Sequence, residues 1–530
     1  MLGQVVSVDM LHDDVLLEIF DFYVGVDLLS QKGIPVDMWR TLVRVCRRWR
    51  SLVFGSPRRL KLRLVCLSRT RTRKRLDAWP TLPLIIQGHT SSFVMDNLIA
   101  ALERKDRVCK IDLTYYDSLE PGKFWAAMRE PFPNLTHLCL EARTEPTSRN
   151  GNLTPDWGPP EPPRVQDVSD SFLGGSAPRL QSFRINAVRL QGLQKLLLSA
   201  THLIDLHLFD IPDYISSQRM VTCLSVLTGL QTLSLAFQRD IYPSYQESRH
   251  PPSPTRVVLP ALRYFQFTGA GKYLENLVAL IDAPELDKLT ISLNYRGYNN
   301  PELAQFICRI PKLGVPCEAR VVFHEARIAI RVRFPSQIFG HKLLDVGIPF
   351  KDLCYGPTSE EVDFQVHRLA QVCDSLLTTV STVENLYIYE ASDSIFCWSG
   401  DWDLPWLDLL RPFIALKNLY IFKEFAQRVA SALEYLDEGS ISELDSNSEM
   451  GSSSEAGSNP EAGGNSEAGI ISEESSNSEL LPSLQNIFVR GLQPSGHIGE
   501  GLEQFIAARR RTGHPIAVST WDTEFDETWQ

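Results

Sequence analysis

Near the start of this sequence, His12 is followed directly by the carboxylates of Asp13 and Asp14, a set of side chains that could transfer a proton. A histidine beside a carboxylate is suited to general acid–base catalysis when both groups reach the same reacting atom. The three residues begin a segment with helical periodicity, and neighbouring residues on a helix point in different directions. We therefore expect no catalytic role for them.

Other residues able to bind a metal ion or attack a substrate are widely spaced. His137, His202 and His207 lie in or beside strand-like segments, without carboxylate or thiol neighbours at metal-ligand spacing, so we interpret them as structural or surface residues. The sequence also lacks a GxxxxGK[ST] phosphate loop, a GxGxxG turn after a strand, a GxSxG elbow and an HExxH helix. We expect no catalytic residue, no metal and no cofactor, and a protein that is not an enzyme.

The cysteines and the apolar pattern indicate the cellular compartment. Ten cysteines occur singly, with no C-x-x-C pair, which predicts reduced and mostly buried thiols. No uninterrupted apolar run approaches the roughly 18 residues of a membrane span. The opening MLGQVVSVDM has neither the basic nor the apolar region of a secretory signal. We expect an intracellular protein, in the cytoplasm or the nucleus, that does not enter a membrane.

The net charge of −11 is concentrated in two segments of opposite sign. Residues 437–479 contain eleven acids and no lysine or arginine, whereas residues 40–75 contain fourteen basic residues and no acid. The run Arg69–Arg75 is compatible with a nuclear-import signal or a nucleic-acid contact, but we expect it to be a solvated connecting loop, because charge runs usually need no ligand. No aromatic residue that could stack on a base interrupts this run. Nucleic acid is therefore an unlikely partner.

Two short helices are predicted within residues 10–57. The first carries an apolar stripe at helical spacing, formed by Val15, Leu16, Ile19, Phe20 and Tyr23. The second is predicted over residues 39–53, with an apolar face of Trp39, Leu42, Val43, Cys46, Trp49, Arg50 and Val53. Gly55 is expected as its left-handed C-cap and Pro57 as its stop. Helices this short have more apolar surface than they bury against each other, so the surplus must meet the rest of the chain or a partner. An ordinary helical hairpin is the alternative.

These two helices resemble the F-box. The resemblance rests on LHDDVLLEIF from Leu11 and LVRVCRRWRSL from Leu42, because the family motif begins Leu-Pro-x-Asp/Glu-aliphatic-Leu and continues Val-Cys-x-x-Trp-x-x-Leu. It covers residues 11–52 of the 530. His12 stands where the family usually has proline, and the spacer 25–37 is long, as in fungal-type members.

The resemblance implies docking on a Skp-family adaptor and, through it, on a cullin ligase core. The adaptor-binding residues would include Leu11, Val15, Leu16, Ile19, Phe20, Val43, Cys46 and Trp49. The rest of the chain would then select an unknown protein substrate for ubiquitination by an SCF-type ligase. Two alternatives remain open: a leucine-rich-repeat scaffold without a ligase role, and a basic nucleic-acid-binding protein that uses residues 40–75.

A short apolar pattern recurs from residue 108 onward. It appears ten times, as VCKIDL, LTHLCL, LQSFRI, LIDLHL, LQTLSL, LRYFQF, LDKLTI, VENLYI, LKNLYI and LQNIFV. Its alternating apolar positions predict strands with one buried face, and amphipathic segments between several copies predict helices. The spacing is typical of leucine-rich repeats. We therefore predict an α/β fold, with a short N-terminal helical F-box followed by a curved leucine-rich-repeat-like solenoid that contains a parallel strand ladder. An ordinary α/β domain with scattered strands is the alternative.

The predicted domains are 1–60, F-box-like and helical; 61–435, irregular leucine-rich-repeat-like; 436–480, a Ser/Glu/Gly-rich insert; and 481–530, a final repeat and C-terminal cap. The insert lacks the apolar residues that would offset chain entropy, so we predict that it is disordered.

Several further segments have their own predicted structure. The repeat rhythm is broken over residues 317–373, where ARIAIRVRF predicts a strand and FQVHRLAQVCDSLLTTV a helix. A strand is predicted near Leu60–Val65, and loops over Arg143–Val168 and 238–257. The tryptophan-rich segment Phe396–Trp406 is either a binding hot spot or a cap on a repeat edge.

Overall fold

The structure is a computed structural model and describes most of the chain. The described residues are 8–25, 39–57, 59–60, 62–67, 72–78, 82–90, 95–116, 122–143, 166–211, 215–237, 256–293, 301–324, 327–335, 342–349, 359–391, 404–422, 425–426, 429, 480–490 and 500–521. They divide into two compact units, the first formed by Met1–Arg296 with Gln305–Lys312 and the second by Gly297–Ala304 with Leu313–Gln530. The Ser/Glu/Gly-rich insert predicted to be disordered, apart from residue 480, lies outside the described residues.

Three helices begin the first unit: α1 (Asp13–Gly25), α2 (Trp39–Val45) and α3 (Arg47–Gly55). The prediction of one continuous helix over residues 39–53 is wrong, because Cys46 is extended, with φ −153° and ψ 173°. Its Sγ accepts a hydrogen bond from the Trp49 N–H at 3.4 Å, so Cys46 is the N-cap of α3.

The C-terminal end of α3 also differs from the prediction. Gly55 is the last helical residue and is not among the described glycines with positive φ, so it does not supply a left-handed cap. The cap is Ser56, whose N–H donates to the Val53 carbonyl at 3.4 Å. Pro57 follows directly and lacks the N–H that a further helical turn would need.

Strands dominate the remainder of the first unit. In chain order they are β1 (Leu64–Leu67), β2 (Leu84–His89), β3 (Val108–Tyr116), β4 (His137–Arg143), β5 (Gln166–Val168), β6 (Ser182–Asn186), β7 (Val188–Leu190), β8 (Asp205–Ile211), β9 (Thr232–Phe237), β10 (Val257–Val258), β11 (Tyr264–Gly269), β12 (Ile281–Asp282) and β13 (Lys288–Leu293). Within the described residues of this unit, the main sheet is parallel, in the order β1-β2-β3-β4-β6-β8-β9-β11-β13. Two short parallel pairs, β5 with β7 and β10 with β12, lie outside it.

The repeats of the first unit pair in phase. Leu138 lies opposite Phe183, and Leu206 lies opposite Leu233. Each of these residues is the second apolar position of its recurrent segment, so equivalent positions of neighbouring repeats face each other. Seven of the ten recurrent segments form strands of this sheet, and the prediction of a parallel strand ladder is confirmed.

The boundaries of two predicted segments differ from the structure in this unit. The first strand occupies Leu64–Leu67 instead of Leu60–Val65. The predicted loop Arg143–Val168 contains the last residue of β4 and all of β5, although residues 144–165 between them lie outside the described part of the chain.

The helices after α3 are α4 (Thr72–Ala78), α5 (Met95–Leu102), α6 (Gly122–Ala127), α7 (Leu193–Ser199), α8 (Ser217–Leu224), α9 (Gly271–Val278) and α10 (Pro301–Cys308). Consecutive helices pack together, α4 with α5, α5 with α6, α7 with α8 and α8 with α9. Their inward apolar residues and the buried face of the sheet form the core. The basic run expected to be a loop instead enters α4, on which Arg73 and Lys74 are exposed.

The second unit contains β14 (Glu318–His324), β15 (Arg327–Phe334), β16 (Lys342–Pro349), β17 (Asn385–Glu390), β18 (Asn418–Phe422), β19 (Asn486–Arg490) and β20 (Ala517–Thr520). Their order is β16-β15-β14-β17-β18-β19-β20. Strands β14, β15 and β16 pair antiparallel, and they lie within residues 317–373, where the repeat rhythm is broken. From β14 through β17 to β20 the pairing is parallel, and the last three recurrent segments form β17, β18 and β19.

The helices of the second unit are α11 (Ser359–Ser375), α12 (Leu377–Val380), α13 (Leu404–Leu410) and α14 (Glu500–Arg511). Helix α11 packs on α13 and on β15 and β16. Trp406 is fully buried in α13, with its ring centroid 5.8 Å from Phe323 and 5.8 Å from Phe425. This member of the tryptophan-rich segment is therefore part of the core, while residues 396–403 lie outside the described residues.

Within the described part of the chain, no helix combines the length and the apolar character needed to cross a membrane.

Candidate functional site: an apolar face on the N-terminal helices

Helix α1 is apolar on two opposite sides. On the inner side Leu16, Leu17 and Phe20 are buried. On the outer side Val15, Ile19 and Phe22 are 45%, 47% and 77% exposed. Their i, i+4, i+7 spacing places these three on one face of the helix, which we call the outer stripe. A helix inside a single folded core has no need of this second apolar face.

Aromatic packing attaches the inner side of α1 to α3, and α3 to α2. The Phe20 ring lies 4.7 Å from the Trp49 ring of α3, at an interplanar angle of 60°. Trp39 of α2 is buried, packs edge-on against Phe54 with centroids 6.3 Å apart, and donates its indole N–H to the Arg63 carbonyl at 2.9 Å. The Phe20–Trp49 contact lies on the inner side of α1, and the outer stripe is left to solvent.

Ion pairs determine the rotation of α1 about its axis. Arg48 Nη2 lies 2.7 Å from Asp13 Oδ1 and also donates to the Leu11 carbonyl. Arg59 lies 2.6 Å from Glu18 and 3.1 Å from Asp14, and hydrogen bonds to these two carboxylates raise its pKa. Exposed pairs of this kind contribute little stability individually. Their geometric effect is that the acidic flank of α1 faces arginines while the outer stripe stays open.

Exposed apolar side chains are concentrated near the N-terminus. Among the described residues, eleven large apolar side chains are exposed, and six of them precede residue 46. Besides the outer stripe these are Val8, Met10 and Val45, which are 51%, 73% and 57% exposed. Isolated exposed apolar residues are normal, but a concentration of them is characteristic of a protein-binding surface.

The structure separates the eight residues expected to bind the adaptor into three groups. Val15 and Ile19 lie on the outer stripe. Leu16, Phe20 and Val43 are buried within the helical module. The remaining three, Leu11, Cys46 and Trp49, are partly exposed.

Phe22 and Val45 were not among the residues predicted to bind the adaptor, yet they are 77% and 57% exposed. Phe22 lies three residues beyond Ile19 and continues its helical spacing, so a signal for it was present in the sequence. Val45 carried no comparable signal, because its exposure follows from the end of α2 at that residue.

Two of the histidines considered for chemistry, His137 and His207, make structural contacts, whereas His202 is exposed. His137 Nδ1 lies 2.8 Å from the Thr136 hydroxyl, and His207 Nδ1 lies 3.0 Å from the Ser234 hydroxyl. Burial is the main cause that lowers the pKa of both rings. His12 is exposed, with Nδ1 3.4 Å from Asp14 Oδ2. In the described ranges, no three His, Cys, Asp or Glu side chains form a group that could hold a metal ion.

The described cysteines form no disulfide bonds with one another. Cys66, Cys223 and Cys373 are buried, whereas Cys308 and Cys317 are exposed. Burial raises the pKa of the Cys223 thiol to about 11, so this group is a protonated, apolar member of the core at neutral pH.

No protein-family model matches this chain, and no curated protein matches it. Fold and surface therefore define its class: an α/β protein with a large, mostly parallel sheet and an exposed apolar stripe on an N-terminal helical module.

Proposed function

We propose that this chain is the substrate-recognition subunit of an SCF-type ubiquitin ligase. The observation that carries the proposal is the outer stripe of α1, where Val15, Ile19 and Phe22 are exposed within the segment that resembles an F-box. A Skp-family adaptor would cover this stripe and connect the chain to a cullin core. The strand ladders, as leucine-rich-repeat-like modules, would hold the protein substrate.

In this role the chain acts by positioning. A bound substrate has its lysines at high effective concentration near the ubiquitin-loaded enzyme, which lowers the entropic part of the barrier. No side chain of this chain has to take part in bond formation.

The energetics of an apolar stripe suit such docking. A Val, Ile or Phe side chain that passes from full exposure to full burial contributes about 1.5–3 kcal/mol. Since Val15 and Ile19 are about half exposed at the start, their gain is smaller than that of Phe22. Apolar contacts are insensitive to salt, so the complex is expected to persist at about 0.5 M salt, where exposed ion pairs are screened.

The test is co-elution of the full-length chain with a purified Skp-family adaptor in size-exclusion chromatography, at low and high salt. Ile19→Glu and Phe22→Glu each place a carboxylate on the outer stripe without entering the helical core. Ile414→Glu is the matched control, because Ile414 is 53% exposed in the second unit. All variants are compared with the wild type by circular dichroism and thermal unfolding.

We expect a one-to-one complex with the wild type and with Ile414→Glu, and none with Ile19→Glu or Phe22→Glu. Folded wild-type chain that fails to bind the adaptor would overturn the proposal and favour a scaffold without a ligase role. Salt-sensitive binding to DNA or RNA in its place would favour the nucleic-acid alternative. Two of the basic residues on which that alternative depends, Arg48 and Arg59, already pair with carboxylates of α1.

A further inference from the structure

The last three repeats differ from the first seven at one outward-facing position. In each recurrent segment, one residue stands between the two buried strand residues and points to the opposite face of the sheet. In the seven segments of the first unit this residue is Asp112, Cys139, Arg184, His207, Ser234, Gln266 and Thr290. In the three segments of the second unit it is Tyr387, Tyr420 and Phe488. The ladder of the first unit forms without a phenylalanine or tyrosine there, so the three rings are not a requirement of strand pairing.

Parallel pairing in phase brings the three rings together. Tyr387 lies opposite Tyr420, and Tyr420 lies opposite Phe488. Their ring centroids are 4.3 Å and 4.5 Å apart, with interplanar angles of 8° and 9°. At one end the guanidinium of Arg320, paired with Glu318 at 2.9 Å, lies 5.3 Å from the Tyr387 centroid. Because the ring faces cover one another, the stack offers its ring edges to a ligand.

Side-chain hydrogen bonds between asparagines link the same three strands two residues before the aromatic stack. We call these asparagines the asparagine ladder. Asn418 donates from Nδ2 to Asn385 Oδ1 at 2.8 Å, and Asn486 donates in the same way to Asn418 at 2.8 Å. These side chains lie on the same face as the aromatic residues that follow two positions later. The rings are therefore held on a rigid, preorganised surface.

Trp521, which follows β20, already lies against this surface. Its ring centroid is 5.4 Å from Tyr420, 5.8 Å from Tyr387 and 6.0 Å from Phe422, at interplanar angles of 68°, 60° and 79°. These tilted arrangements are favourable because ring edges carry partial positive charge and ring faces partial negative charge. The chain's own indole thus shows which kind of side chain the surface accepts.

Arg490 adds a cation to the surface. Its guanidinium lies 4.8 Å from the Phe422 centroid and 5.8 Å from that of Trp521. Arg320 and Arg333 of the same sheet both pair with Glu318. Arg490, by contrast, pairs with no carboxylate among the residues that the structure describes. A guanidinium in this position can pair with a carboxylate of a ligand.

We propose that the surface formed by Tyr387, Tyr420, Phe422, Phe488 and Arg490 binds a protein segment in which an aromatic residue is flanked by carboxylates. The ligand's ring takes the position of Trp521 on the ring edges, and one of its carboxylates pairs with Arg490. The proposal concerns binding alone and does not depend on the adaptor. If the chain is a ligase subunit, the bound segment belongs to the substrate.

The test uses full-length protein and a fluorescein-labelled synthetic peptide with one tryptophan between two pairs of glutamates, followed by fluorescence anisotropy. Two control peptides replace the tryptophan by alanine or the glutamates by lysines. Trp521→Ala vacates the position of the ligand's ring, and Arg490→Gln removes the cation. Lys288→Gln is the matched control for Arg490→Gln, because Lys288 also lies over an outward ring, 5.7 Å from the Tyr264 centroid in the first unit.

We expect saturable binding of the acidic tryptophan peptide, several-fold tighter to Trp521→Ala than to the wild type. Arg490→Gln is expected to weaken it about tenfold, as for loss of a charge-assisted contact, while Lys288→Gln leaves it unchanged. Neither control peptide is expected to bind comparably. Thermal unfolding verifies each variant, and Trp521→Leu replaces Trp521→Ala if the latter does not fold.

The proposal is overturned if the acidic tryptophan peptide does not bind, if the lysine peptide binds as well, or if Arg490→Gln and Lys288→Gln have equal effects. It is also overturned if Trp521→Ala binds no tighter while deletion of residues 522–530 tightens binding. In that case the chain's own C-terminal segment, which contains four acids, is the occupant of the surface.

Discussion

Phe20 and Trp49 pack ring against ring, with centroids 4.7 Å apart, and so join the first and third helices of the N-terminal module. The resemblance to the F-box implies a contact between Trp49 and an adaptor, yet the same side chain supports the buried Phe20. A charged substitution at Trp49 would therefore disturb α1 itself. Substitutions at Ile19 and Phe22 report on docking more directly.

We predict that Phe20→Ala destabilises this module strongly and that Ile19→Ala does not. Loss of a fully buried phenylalanine costs about 3–5 kcal/mol, whereas a surface substitution stays within about 0.5 kcal/mol. Hydrogen exchange of the amides in α1, measured in the full-length chain by mass spectrometry, separates the two cases. Equal loss of protection in both variants would contradict the assignment of inner and outer sides.

A second prediction concerns the buried carboxylate of Asp345. It lies 3.1 Å from Arg327 and 3.3 Å from Arg331, and its side chain is 8% exposed. Removing one partner of a buried ion pair leaves uncompensated charge, at a cost of about 3–5 kcal/mol. Asp345→Ala should therefore lower the urea midpoint of the second unit markedly.

The matched control for Asp345→Ala is Glu384→Ala, which breaks the pair with Lys417 at 2.6 Å. Both side chains of that pair are about half exposed, so its loss should cost less than about 1 kcal/mol. Equal effects of the two substitutions would show that the Asp345 site is more solvated than its burial indicates.

His324 makes folding stability depend on pH. Burial, followed by the positive charges of Arg331 and Arg327, lowers the pKa of His324 from 6.5 to about 4, against the opposing effect of Asp345. Between these two values the unfolded chain binds a proton that the folded chain does not. This residue's contribution to stability is therefore complete above pH 6.5 and is lost progressively as the pH falls to about 4.

The corresponding experiment compares the wild type with His324→Asn, since asparagine does not titrate. Urea unfolding midpoints are measured from neutral pH down to about pH 4. We expect the wild type to lose more stability over this interval than the variant does. Parallel pH profiles would mean that His324 has an ordinary pKa in the folded chain.

The asparagine ladder predicts that Asn418→Ala and Asn486→Ala reduce folding stability by different amounts. Asn418 donates one side-chain hydrogen bond and accepts another, whereas Asn486 only donates within the ladder. At about 1 kcal/mol for each net hydrogen bond, Asn418→Ala should cost roughly twice as much as Asn486→Ala. Chemical unfolding of both variants measures the ratio. A ratio near one would show that the ladder bonds are exchanged for water without loss.

Much of the secondary structure was predictable because it depends on local periodicity. All ten recurrent segments form strands, and the alternation in β11, where Phe265 and Phe267 are buried between partly exposed neighbours, shows why. The break at Cys46 was not predictable in the same way. Its apolar neighbours keep helical spacing across the break, and the capping geometry of the Cys46 thiol has no counterpart in hydrophobicity.

The sequence by itself determined which residues alternate, where the ten recurrent strands lie and that the N-terminal helices carry surplus apolar surface. Tertiary structure alone decided which apolar side of α1 is exposed, because Val15 and Leu16 are equally apolar and differ only in what packs against them. It also decided that Tyr387, Tyr420 and Phe488 form one stack. Their spacing along the chain is 33 and 68 residues, and only in-phase pairing of β17, β18 and β19 brings rings so far apart in sequence into contact.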